Sequence, residues 1–229
     1  MESLWYPRAV NLKKAAFVTI GQSPRDDLLP EMRRWMGELT AVEFGVLDDL
    51  ADAEIAQHTP GAGDHALVSR MRDGREVTIG KAWTRDRLAA LMERLDGDGF
   101  DLIVLLCTGH FDGVRSRTLM VEAQRVVDAG VEAVAGDGRT VGVMLPLARQ
   151  MDEFHQKHIG ASAVVLAHAS PYSDRRVEDA ARELAKTDLI VMHCMGYTEA
   201  MRQRVAEVAG TPVLLARRLV ASAVAQLVA

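Results

Sequence analysis

The chain has 229 residues, enough for one large domain or two small lobes that share an interface. Its composition, 48% hydrophobic and 26% charged, is that of an ordinary globular protein, and a net charge of −5 gives no electrostatic footprint for nucleic acid. No apolar run approaches the roughly 20 residues that cross a bilayer, and residues 1–14 (MESLWYPRAVNLKK) lack the apolar segment of a secretory signal. The two cysteines, 87 positions apart, form neither a disulfide framework nor a C-x-x-C metal spacing. The expectation is a cytoplasmic protein with free thiols and neither a nucleic-acid nor a membrane partner.

In chain order, residues 1–14 read as an extension. Residues 15–21 (AAFVTIG) are a β-type run, followed by Gln22-Ser23-Pro24-Arg25 and a helical stretch over 26–39, with Pro24 in its first turn. Residues 42–47 predict a second strand. The pattern is irregular from 48 to 83, although 67–71 and 76–80 flank RDGR and read as a β-hairpin. Thr84 resembles an N-cap for a helix over 85–95. Residues 102–106 (LIVLL) suit a parallel strand covered on both faces. A helical region over 117–135 follows and breaks at Gly136-Asp137-Gly138.

The order then begins again: a strand at 140–145 (TVGVML), a helix near 149–158, a strand at 163–167, a helix over 174–186 and a strand at 189–193. A short helix at 199–209, a strand at 213–216 and a closing helix from 218 complete the chain. Two stretches repeat closely. FDLIVLLCTGHF (100–111) and TDLIVMHCMGYT (187–198) place the only two cysteines, Cys107 and Cys194, in register. After a small gap, LMVEAQRVVDAGVEAVA (119–135) lies alongside VLLARRLVASAVAQLVA (213–229). Strands alternating with helices predict an α/β fold of two pseudo-symmetric lobes. Mostly parallel sheets would be flanked by helices, with an active-site cleft between the lobes. The first half would cover 15–136, with the hairpin insertion near 48–83, and the second 137–229, terminal segments being able to exchange between lobes.

In parallel sheets ligands bind at the carboxyl ends of strands, which is where Cys107 and Cys194 fall. Gly109 and Gly196 follow them and permit close approach. Two halves facing each other would bring both thiols to one cleft. One thiolate could then remove a proton from a carbon acid while the other thiol delivers one to the opposite face. Donors are needed for the developing negative charge, and Gln22, Ser23, Arg25, Thr108 and Gly109 are the candidates. His110 and its register counterpart Tyr197 are further polar candidates, with Met195 and Gly196 as wall.

Plainer roles compete with these. Free cysteines are often buried core residues, Ser23 can cap its helix, and Arg25 can pair with Asp26 or Asp27. His193, by strand alternation, points away from the face of Cys194 and reads as a packing residue. Ser170-Pro171-Tyr172 lines the cleft or merely turns the chain. His155 and His158, near Asp152 and Glu153, read as a solvated helix face and not a metal site. No Walker, G-x-G-x-x-G or G-x-S-x-G motif occurs.

The paired cysteine motifs, the duplicated halves and TIGQSPRDD after the first strand resemble the AroM family, from about Ala15 to the end. VTIGQSPR, LLCTG and HCMGY carry the resemblance most sharply. That family falls within the aspartate/glutamate racemase superfamily, together with hydantoin racemases, maleate isomerases and arylmalonate decarboxylases. The resemblance implies that Cys107 and Cys194 are an acid/base pair and that no cofactor is used. Glutamate racemases carry Asp-Ser after the first strand and Cys-Thr-His in the second half; here these places read Gly21-Gln22-Ser23 and Cys194-Met195-Gly196. The expected activity is racemisation or epimerisation of a small carboxylate or carbonyl substrate. Decarboxylation, cis–trans isomerisation and non-catalytic binding of a small molecule are the alternatives. The apolar C-terminal helix LVASAVAQLVA can pack within its lobe or against a second subunit of a homodimer.

Overall fold

A computed structural model describes residues 12, 14–136, 138–154, 161, 163–173 and 175–228. Most of the N-terminal extension, together with His155 and His158, lies outside the described residues.

The first half runs β1 (Lys14–Thr19), α1 (Leu29–Met36), β2 (Thr40–Gly45), α2 (Asp52–Ala56), β3 (Ala66–Arg70), β4 (Glu76–Gly80), α3 (Lys81–Leu95), β5 (Leu102–Leu105), β6 (Met120–Glu122) and α4 (Ala123–Ala135). The second runs β7 (Thr140–Leu145), α5 (Gln150–Glu153), β8 (Ala163–His168), α6 (Val177–Leu184), β9 (Leu189–Met192), α7 (Glu199–Ala209), β10 (Val213–Leu215) and α8 (Ala216–Ala225). Two four-stranded sheets result, ordered β2-β1-β5-β6 and β8-β7-β9-β10, and every pair in them is parallel. The halves therefore repeat one topology. β3 and β4 form a separate antiparallel hairpin, inserted in the first half.

Alternation along the strands divides the core. Phe17, Val104, Val143 and Val191 point into one apolar layer between the two sheets. That layer also receives α1, α4 and α8, through Met32, Val127 and Val220 among others. The opposite face of the first sheet, with Val18, Ile103 and Leu105, is covered by α3 and the hairpin. The opposite face of the second, with Met144, Ile190 and Met192, is covered by α6 and α7. Helix α8 packs on α1 and α4, so the last helix of the chain completes the core of the first half. Its apolar residues Val220, Ala221 and Val224 are fully buried in this way. Among the described residues no helix is long and apolar enough to cross a membrane.

Four sequence expectations are corrected. Strand β6 falls inside the stretch 117–135 that the sequence predicts as helical, because its three residues lead straight into α4 with no breaker between. Thr84 is not an N-cap: α3 begins at Lys81, and the Thr84 hydroxyl donates back to the Gly80 carbonyl at 2.8 Å. Pro30 and not Pro24 occupies the first turn of α1. Helix α2 escaped notice because it is only five residues long.

Because one apolar layer joins both sheets, the halves should unfold together. Met32→Ala, at a side chain with no exposed surface, should cost about 2–5 kcal/mol. Urea denaturation followed by circular dichroism and by tryptophan fluorescence should give one coincident transition, shifted to lower urea in the variant.

Candidate active site

Each cysteine sits just beyond a strand that is buried along its whole length. The two loops are built alike. The Gly109 N–H donates to Cys107 Sγ at 3.3 Å, and the Gly196 N–H donates to Cys194 Sγ at 3.4 Å. The Thr108 hydroxyl donates to the His193 carbonyl at 3.1 Å and ties one thiol loop to the other. Both cysteines are free and buried, and both line a single cavity of about 330 Å³. This cavity lies at the carboxyl ends of β1, β5, β7 and β9, where the strand order reverses in each sheet. Hairpin residues Ala66, Leu67, Val68 and Ser69 supply another wall.

Gly196 is required by space. A Cβ there would stand 2.7 Å from Pro171 Cγ and 2.8 Å from the Tyr172 hydroxyl. Glycine is what allows Tyr172 to lie across the second thiol loop.

Burial pushes the Cys107 thiol up to about 12 from an ordinary value near 9. The Gly109 N–H pulls the other way, Cys194 adds to the rise, and the charges of Lys81 and Arg25 oppose it. Burial also raises Cys194, against its Gly196 N–H, Arg25 and Arg217. At both residues burial thus favours the neutral thiol over the thiolate.

Arg25 lines the cavity, but its fork is already filled. Nε and Nη2 donate to the two Asp27 carboxylate oxygens at 2.8 Å each, and Nη1 donates to Thr19 Oγ1 at 2.9 Å. Nη2 also reaches the Tyr172 hydroxyl at 3.3 Å. Burial raises the phenol of Tyr172 well above its usual range, while the Arg25 charge works against the rise. The cation that lines the cavity without an ion-pair partner among the described residues is Lys81, at the start of α3.

Of the other candidates, Thr108, Gly109, His110, Met195 and Gly196 line the cavity. His110 is exposed and meets Asp112 at 2.8 Å. Gln22, Ser23 and Tyr197 do not line it. Gln22 Nε2 donates to the Leu47 carbonyl at 3.3 Å, and its Oε1 accepts from the Arg72 N–H at 3.0 Å. The Ser23 hydroxyl donates to Asp48 at 2.7 Å, so Ser23 is not a helix cap either. Tyr197 is buried behind its loop and donates to the Ala169 carbonyl at 2.6 Å. These three side chains brace the scaffold around the cavity. His193, expected to face away, lines the cavity because strict alternation ends with β9 at Met192.

Sequence reading also missed Arg217, which is fully buried on α8. It donates to the Met195 carbonyl at 3.1 Å, the Gly196 carbonyl at 2.9 Å and the Asp27 carbonyl at 3.0 Å, and pairs with Glu31. It thus holds the second thiol loop from below and joins that loop to α1. In the repeat its place is taken by Gln124, likewise the second residue of its helix.

The family model described as AroM protein matches residues 15–228. The chain belongs to the AroM family. No curated protein matches it. Among solved structures, Nocardia farcinica maleate cis-trans isomerase bound to TRIS superposes with a TM-score of 0.60 at 12% identity, covering 94% of this chain and 92% of that one. Picrophilus torridus aspartate racemase gives 0.59 at 9% identity and covers 93% of each chain. Unliganded arylmalonate decarboxylase gives 0.56 at 12% identity, covering 94% and 92%. At these identities the likeness is one of fold, and it places this AroM-family chain in the architecture shared by racemases, isomerases and decarboxylases.

Two measurements test this geometry. Alkylation of both cysteines by iodoacetamide should be slow near pH 8 and should accelerate through a midpoint above 9, the Cys107 midpoint lying toward 12. By linkage, the stability contributed by keeping the Cys107 thiol neutral is fully present below about pH 9 and is lost as pH rises toward 12. Arg217→Met leaves Glu31 without its buried partner and should cost about 3–5 kcal/mol in urea unfolding. Arg217→Lys should recover part of that loss, because it restores the charge without the fork.

Proposed function

We propose that this AroM-family protein is a cofactor-independent racemase or epimerase in which Cys107 and Cys194 act as the acid/base pair. The observation that carries the reading is the arrival of both thiols, in matching loops from the two halves, at one cavity. The halves are taken as 15–136 and 137–229, each contributing one thiol. One cysteine, as thiolate, takes the proton from a carbon next to a carboxylate or carbonyl. The other, as thiol, gives its proton to the opposite face of the carbanion, and the two roles exchange in the reverse direction. Lys81 is the free cation for the substrate carboxylate, with Arg25 held in its pair with Asp27. Both thiols are pushed upward, so turnover should rise with pH above neutrality as the thiolate becomes populated. A reducing, cytoplasmic setting suits two free thiols.

A second reading has its own support. The two thiols are not equivalent: Cys107 feels Lys81, whereas Cys194 feels Arg217. A decarboxylase or cis–trans isomerase that works through one cysteine would use that difference. A binding protein without catalysis would need neither thiol.

Solvent-deuterium incorporation separates these readings. Wild type, Cys107→Ser and Cys194→Ser would be incubated in heavy water with amino acids, hydantoins, hydroxy acids and malonates, and followed by NMR. Exchange at one carbon, reduced at least about a hundredfold by either substitution, is the expected result. Exchange into both enantiomers that survives one of the two substitutions overturns the two-thiol mechanism in favour of one-cysteine chemistry.

A further inference from the structure

Three buried polar atoms, on side chains of residues that line the cavity, have no hydrogen-bond partner among the described residues: Asp128 Oδ1, His193 Nε2 and Gln150 Oε1. The two-thiol reaction uses none of them. A buried polar atom left unpaired is costly, and three around one cavity call for a common cause.

Their surroundings are specific. Asp128 projects from α4, and its other oxygen accepts from Gln124 Nε2 at 2.7 Å. His193 Nε2 stands 3.6 Å from Asp128 Oδ1, too far for a direct hydrogen bond. Phe154 meets the imidazole edge-on, with ring centroids 6.2 Å apart. Gln150 donates through Nε2 to the Ala66 carbonyl at 3.0 Å, which leaves its Oε1 unengaged. Glu153, on the same helix, also lines the cavity and is matched by His65 at 3.1 Å.

A carboxylate oxygen and an amide oxygen can only accept, and an imidazole nitrogen can take either role. This set of atoms therefore calls for a donor. The negative charge of Asp128 opposes a carboxylate there. The unpaired cation, Lys81, is instead within electrostatic reach of Cys107. A ligand would turn its carboxylate toward Lys81 and a donor group toward Asp128.

We propose that Asp128, His193 and Gln150 form a second subsite, one that takes a hydroxyl or ammonium group of the substrate and rejects a second carboxylate. The proposal rests on the cavity being the substrate site, but not on the two-thiol mechanism. It sets the substrate class as a small monocarboxylate with a hydrogen-bond-donating group at its other end.

The test is isothermal titration calorimetry of the full chain with three four-carbon acids that differ only at the far end: succinate, 4-hydroxybutyrate and 4-aminobutyrate. At least one of the last two should bind about tenfold or more tighter than succinate, and whichever is tighter names the donor. Asp128→Asn should narrow the gap to succinate, and Gln150→Ala should weaken the donor ligands without strengthening succinate. The wild-type ratios stand even if a variant does not fold. Succinate binding as tightly as the others, no binding by any of the three, or an unchanged ratio in folded Asp128→Asn would overturn the subsite. Titrating Cys107→Ser and Cys194→Ser keeps the two ideas apart. A preference retained in both variants keeps the subsite even where the deuterium experiment has overturned the two-thiol reading.

Discussion

β5 and β9 are covered on both faces, and their backbone groups are committed to neighbours on both sides. Side chains along them have almost no access to solvent. A polar or reactive group can reach a ligand only after the last strand residue, where the chain leaves the sheet. This constraint places Cys107 and Cys194 where they are, and the cavity with them. It also explains why the residues around the thiols come from loops, helix starts and the hairpin.

The thiol loops depend in turn on buried polar groups with few alternatives. Arg217, with no exposed surface, finds three carbonyls and one carboxylate, so its desolvation is offset by a full set of acceptors. Arg25 and Asp27 form a bidentate pair at the cavity edge. Both cations work against the rise that burial imposes on the Cys194 thiol. Asp128 and His193 form a different kind of neighbourhood, less completely satisfied and open to the same space.

Much of this was legible in the sequence. The repeated D-L-I-V-x-x-C-x-G stretch located β5, β9, both thiols and the two glycines, because apolar β-branched runs with a scarce residue in register are hard to produce otherwise. The hairpin was legible from RDGR, and α7 was expected at 199–209; the structure adds its cap, the Thr198 hydroxyl accepting from the Met201 N–H at 3.1 Å. Boundaries that depend on tertiary contacts were not: β6 is a strand because it pairs with β5. The cavity-facing Asp128, Gln150 and Lys81 look like surface polar residues on amphipathic helices, and nothing local distinguishes them. Gln22 and Ser23 erred the other way, since a polar loop after a strand resembles a binding loop whether it holds a ligand or, as here, another loop. Arg217 was the most hidden: it is one of two adjacent arginines at the start of an apolar helix, and only the structural repeat, which sets it opposite Gln124, marks which of the two turns inward.

That alignment bears on how such a chain could arise. Each half has the same strand order and the same thiol loop, so a single half could build the cleft only by pairing with its twin. In a symmetric pair both loops would rest on the same residue. Joined in one chain, the copies are free to differ, and glutamine in one opposite arginine in the other is such a difference. Asymmetry of the two faces is thus a property that fusion permits and a homodimeric ancestor could not have had.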